Sequence, residues 1–150
     1  MSFDSFLSQL KTKASELKTE ALKFKNKDFL NAAMAGSALI AMADGSISAS
    51  EKQKMIKFIE SNDALSVYTT SDVIKAFQEF VSQLEFDKDI GEAKAYQAIG
   101  RMKSNTEAAR LLVRMIISIA SADDIFDFEE KKIAAKIAKE LGVDPAEFEL

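Results

Sequence analysis

An acidic segment occurs twice in this chain, each time between an apolar run and an amphipathic one. The first copy reads Ala43-Asp44-Gly45-Ser46-Ile47-Ser48-Ala49-Ser50-Glu51-Lys52, and the second reads Ala122-Asp123-Asp124-Ile125-Phe126-Asp127-Phe128-Glu129-Glu130-Lys131. Aligned, Asp44 matches Asp123, Ile47 matches Phe126, Ser48 matches Asp127, Glu51 matches Glu130 and Lys52 matches Lys131. A helix–turn–helix used twice accounts for the pattern. One carboxylate then leaves the first helix of each copy and one lies early in the second. The apolar helices before the turns, at 28–43 and 105–122, are hydrophobic nearly all round and must be buried. Two related helical hairpins packed with approximate two-fold symmetry follow, with residues 71–103 between them in sequence.

The rest of the chain reads as helix as well. There is one Pro and there are five Gly, and no stretch has a convincing period of two. The expected fold is an all-α, single-domain bundle of about seven helices over residues 1–150. Phe3, Leu7, Leu10, Ala14, Leu17, Ala21 and Phe24 form one stripe and predict a single amphipathic helix over 3–24. Further helices are predicted at 49–60, 71–85, 89–103 and 128–141, with a loop from Asn62 to Thr70. Gly45 ends the first buried helix by taking a left-handed conformation, and Gly142 stops the 128–141 helix. Asp144-Pro145-Ala146-Glu147 has a capping residue, Pro at the first helical position and an acid at the third, so one more turn is expected.

Composition removes several chemistries. The chain has no Cys and no His, so thiol redox work, Ser-His-Asp triads and Cys/His zinc sites are excluded within it. A metal held by its side chains has to rely mainly on oxygen, which points to Ca²⁺, Mg²⁺ or Mn²⁺. No apolar run reaches the roughly 20 residues needed to cross a membrane, and no secretory signal is read at the N-terminus, where Asp4 comes early. The absence of Cys fits a cytoplasmic protein. A net charge of −4 argues against general nucleic-acid binding. Residues 1–27 run the other way, with six Lys against three acids.

The acidic turns admit two readings. Ser48-Ala49-Ser50-Glu51 has the spacing of a capping box, and Asp127-Phe128-Glu129-Glu130 is its acidic version. Capping accounts for Ser48, Glu51, Asp127 and Glu130, and acids in a first turn are favoured by the helix dipole. It does not account for Asp44 and Asp123. At the C-terminal ends of apolar helices a negative charge opposes the dipole by about 0.3–1 kcal/mol. If the turns meet, four or more carboxylates converge and form a candidate site for a hard cation. A bound cation or a cationic partner would relieve their repulsion. The turns do not match an EF-hand loop, whose ligands spread over about 12 residues ending in Glu.

Over most of its length the chain resembles the TerB family of tellurite-resistance proteins. The segments that carry the likeness are Ala43-Asp44-Gly45 through Glu51-Lys52-Gln53-Lys54-Met55-Ile56, Phe86-Asp87-Lys88-Asp89-Ile90-Gly91, Ala122-Asp123 through Glu130-Lys131, and the ending Leu141-Gly142-Val143-Asp144-Pro145-Ala146-Glu147-Phe148. The resemblance implies an all-helical cytoplasmic protein from a bacterial stress operon, associated with resistance to tellurite, phage and pore-forming colicins. It also implies metal binding through the two acidic turns, and work beside a membrane-embedded partner of the same operon. Carried over by position, the candidate metal ligands are Asp44, Glu51, Asp123 and Glu130, with Asp127 a weaker addition. Asp124 stands where the motif has Gly, so the second turn is either tighter or recruits Asp124 as an extra ligand.

Function is expected to be non-enzymatic. Paired carboxylates can serve as general acid and base, but no Gly-rich phosphate loop or substrate signature accompanies them. With no thiol to reduce tellurite and a negative net charge, a scaffold or sensor role fits better than direct detoxification. The expectation is a stress-response module that binds Ca²⁺ or Mg²⁺ through the paired turns and assembles with membrane-linked partners. The alternatives are a metal-independent adaptor using its acidic face and peripheral membrane attachment through the 3–24 helix. For the latter, Lys11, Lys13, Lys18 and Lys23 mark a membrane or partner surface, against a bland reading in which the stripe packs on its own bundle. Asp89 is expected to cap the 89–103 helix, with Glu92 in the capping-box position.

Overall fold

A computed structural model describes residues 3–12, 14–121 and 126–150. Among them the fold is all-α. The helices are α1 (Phe3–Thr12), α2 (Ala14–Lys23), α3 (Lys27–Ala41), α4 (Ala49–Ser61), α5 (Thr70–Phe86), α6 (Lys88–Gly100), α7 (Thr106–Ala120) and α8 (Phe128–Glu140). Short 3₁₀ turns run over Asp63–Val67 and Pro145–Phe148. No helix among the described residues is long and apolar enough to cross a membrane.

The starts of α3 to α8 are written in side chains. Asn26, Ser48, Thr69, Asp87, Asn105 and Asp127 each accept a hydrogen bond from a backbone N–H of the first turn, satisfying a donor that has no partner within the helix. The end of α8 closes as a Schellman motif. The Val143 N–H donates to the Ala138 carbonyl at 2.9 Å and the Gly142 N–H to that of Lys139 at 3.0 Å, with Gly142 at φ 73°. Gly45 has the expected positive φ, 98°, but α3 already ends at Ala41 with Met42 as its cap, so Gly45 shapes the turn that follows rather than the end of the helix.

At the centre lies α3, packed on α5, α6, α7 and α8. From Phe29 to Ile40 every residue of α3 except Asn31 is buried. Its buried hydroxyl, on Ser37, donates to the Ala33 carbonyl at 2.8 Å, so it adds no unsatisfied polar group. The second buried helix, α7, supplies Leu111, Leu112, Val113, Met115, Ile116, Ile117 and Ile119. The two meet where Gly36 leaves room for Ile116. Exchanging α3 with α7 and α4 with α8 maps the α3–α8 contact onto the α7–α4 contact. The duplicated sequence therefore has a matching pattern of packing.

Three expectations need correction. The 3–24 stripe belongs to two helices, with Lys13 between them outside the described residues. Phe3, Leu10, Leu17 and Ala21 of that stripe are all buried. Helix α1 packs on α7, and α2 packs on the 63–67 turn and on α7. Part of the 62–70 loop is a 3₁₀ turn capped by Asn62, whose side chain accepts from the Leu65 N–H at 3.2 Å. The cap of α6 is Asp87, not Asp89. Asp87 is extended at φ −154° and its Oδ1 accepts from the Ile90 N–H at 3.0 Å, which leaves Asp89 in the first turn.

Burial raises the pKa of both tyrosines from 10.0 to about 12. At Tyr96 the nearby Glu92 and Glu140 charges add to it. An unfolded chain loses these phenolic protons near pH 10, while the folded chain keeps them to about pH 12. The unfolded state then binds fewer protons, so stability falls as pH rises through this window. Spectrophotometric titration of the folded protein should show no tyrosinate at pH 10. Chemical denaturation should show stability declining from pH 10 upward.

The acidic cleft between the two turns

Both capping boxes are complete. The Ser48 hydroxyl accepts from the Glu51 N–H at 3.1 Å and Glu51 Oε1 accepts from the Ser48 N–H at 3.3 Å. In the second copy Asp127 Oδ1 accepts from the Glu130 N–H at 2.9 Å and Glu130 Oε1 accepts from the Asp127 N–H at 3.1 Å. Asp44 also has a local partner, because its Oδ1 accepts from the Ser46 N–H at 3.3 Å. This bond gives the carboxylate a turn-forming role that helix capping alone does not supply.

The turns nevertheless share a cavity. Asp44 and Glu51 from the first copy, and Asp127 and Glu130 from the second, line one cleft of about 240 Å³. Its apolar wall includes Ile40 and Ala120 from the ends of the two buried helices, and Met55 and Phe58 from α4. Packing α3 against α7 brings the two helix ends side by side, and the turns follow. Lys54 also lines the cleft. It lies three residues after Glu51, on the same face of α4, and that spacing was the signal available in the sequence.

Sharing a cleft is a weaker arrangement than converging on a point. Among the described residues no group of three or more acidic side chains is placed to hold one metal ion. Asp123 and Asp124 lie outside the described residues. The donors that line the cleft are oxygen donors suited to a hard cation. The boxes engage Glu51 Oε1 and Asp127 Oδ1, so each of these carboxylates has a second oxygen outside its box.

The matched lysines of the repeat have diverged. Lys52 pairs with Glu85 on α5 at 2.8 Å, whereas Lys131 lies 4.7 Å above the ring of Phe3. Phe3 also meets Phe126 of the second turn, with ring centroids 4.9 Å apart. Helix α1 is thus seated against Phe126 and Lys131, through contacts that a stripe of apolar positions does not specify. Of the lysines proposed as a membrane or partner surface, Lys18 is exposed on α2. The side chains of Lys11, Lys13 and Lys23 lie outside the description.

A family profile described as tellurite resistance protein TerB matches residues 30–150. The chain belongs to the TerB family. A curated relative, the tellurium resistance protein TerB of Alcaligenes sp, is 36% identical over 113 residues, covering 75% of this chain and 93% of the relative. No solved structure matches the chain. The TerB match spans both acidic turns and the cleft between them, and it begins within α3, so α1 and α2 precede it.

Proposed function

We propose that this protein acts in tellurite resistance as a non-enzymatic module. In this reading its two acidic turns take up a divalent cation, Ca²⁺ or Mg²⁺, and it works with partners of the same operon, one of them membrane-embedded, on the cytoplasmic side. The observation that carries the reading is that Asp44, Glu51, Asp127 and Glu130, drawn from both copies of the repeat, line one cleft. Carboxylates that line one cleft repel each other, more strongly the closer they lie. A cation in the cleft would relieve the repulsion. Asp44, Glu51, Asp123 and Glu130 would hold it, with Asp127 a weaker addition. A hard cation there supplies a fixed positive charge that ties the two turns together. The absence of Cys and His supports a scaffold or sensor rather than a catalyst.

Lys54 favours a second reading. Its ammonium can neutralise part of the cleft without any metal, and the remaining acidic face would then dock a basic protein partner directly.

Thermal unfolding separates the two. A cation at 100 times its Kd should stabilise the fold by about 2.7 kcal/mol and raise Tm by several degrees. The rise should appear with one of Ca²⁺, Mg²⁺ or Mn²⁺ over chelator, and vanish in the Asp44→Asn/Asp123→Asn variant. If no cation shifts wild type, the metal reading fails. A variant more stable than wild type in chelator would then point to unrelieved repulsion on a docking face.

A further inference from the structure

We propose that a second cavity, between the α2–α3 junction and α5, is a binding site for a phosphate ester of a polyhydroxyl compound, that is, a sugar phosphate. This site is independent of the acidic cleft. Its cavity measures about 450 Å³, within the roughly 300–1,000 Å³ of small-molecule pockets. Lys25 and Lys27 line one side, at the junction, while Asp72, Lys75 and Glu79 line the other, from α5. The α5 residues are spaced by three and four, so they share one helix face.

The charges are arranged for an anion with hydroxyl groups. Arg110, Arg114 and Lys52 each pair with a carboxylate at 2.8 Å. Lys25, Lys27 and Lys75 have no such partner among the described residues. Three exposed lysines line this cavity against two exposed carboxylates, and the excess of positive charge favours a phosphate group. Asp72 and Glu79 accept hydrogen bonds only, so they suit the hydroxyls of the ester and not its phosphate. Inorganic phosphate would leave both carboxylates unmatched, and a simple cation would face the three lysines. Tyr68 lines the wall between. Burial pushes its phenol up to about 12, so at neutral pH it is an O–H group. It donates to the Phe24 carbonyl at a long 3.5 Å. Lys25 and Lys27 precede the span matched by the family profile, and Lys75 lies within it.

The chain has two Tyr and no Trp, so Tyr96→Phe leaves Tyr68 as the sole tyrosine and its fluorescence reports the cavity. Titration of that variant with ribose 5-phosphate should give a saturable change. Ribose, inorganic phosphate and phosphatidylglycerol vesicles are the comparison arms. Lys27→Ala/Lys75→Ala and Asp72→Asn/Glu79→Gln should each weaken ribose 5-phosphate binding by about tenfold or more while melting as the parent does. No saturable response to ribose 5-phosphate would overturn the proposal, as would equal affinity for inorganic phosphate. A response to vesicles alone would overturn it in favour of a lipid headgroup. Binding unchanged in the lysine variant would place the ligand elsewhere and overturn it too.

Discussion

Gly91→Ala is expected to lower stability by about 2–3 kcal/mol, which in a chain of this length is a fall in Tm of roughly 4–12 °C. A single residue, Asp87, separates α5 from α6, so the helices turn back on each other sharply. A Cβ on Gly91 would lie 2.6 Å from Leu84 Cα and 2.7 Å from Leu84 N. Those are backbone atoms, and no rotamer change moves them away. The two helices would have to separate, and both pack on α3, so the core would open with them. Helix propensity acts in the opposite direction, since Ala is favoured over Gly by about 1 kcal/mol in a helix interior, but this is smaller than the clash. Gly100→Ala is the matching control at the other end of α6. A Cβ there meets nothing within 4 Å, and the substitution should be neutral or slightly stabilising. Equal melting of the two variants would show that the close approach at Leu84 does not constrain the fold.

Spacing alone does not place the start of α6. Asp87 and Asp89 are both acids at plausible capping positions, and Asp89 has Glu92 at the capping-box spacing. Local chemistry does not choose between them. The tertiary turn does. Helix α5 runs to Phe86, and the reversal leaves Asp87 as the extended residue whose side chain reaches the Ile90 N–H. The two buried helices, by contrast, were legible because an all-apolar surface has no alternative to the interior. The capping boxes were legible because both partners lie within four residues. Asp44 needed more than a periodicity argument, since its bond to the Ser46 N–H depends on the turn that follows α3. That Glu51 and Asp127 line the same cleft is a statement about how α3 crosses α7, and helical spacing carries no information about crossing. The contact of Phe3 with Phe126 is likewise between residues far apart in sequence, and a stripe identifies only that Phe3 faces inward.

Helices α3 and α7 meet at Gly36 and Ile116, and a double-mutant cycle should expose their coupling. Gly36 lies so close to α7 that a Cβ would overlap Ile116 Cδ1 and come within 2.9 Å of its Cγ1. Gly36→Ala alone is expected to cost about 1–3 kcal/mol from overpacking, reduced by the helix-propensity gain of about 1 kcal/mol. Ile116 is 1% exposed, and Ile116→Ala alone should cost about 2–5 kcal/mol through lost contacts and the cavity left behind. Together the effects should not add. Removing the Ile116 side chain clears the volume that the new Cβ needs, and that Cβ fills part of the void. The double variant should therefore be at least about 1 kcal/mol more stable than the sum of the singles implies, within the range seen for residues in contact. Additive losses would mean that α3 and α7 relax independently at this point. A coupled result has a further consequence for the acidic cleft, because Ile40 and Ala120 of its wall lie four residues beyond Gly36 and Ile116, one helical turn along the same two helices. Gly36→Ala alone, by wedging the helices apart, should then also weaken any cation-dependent rise in Tm, while the double variant should restore it.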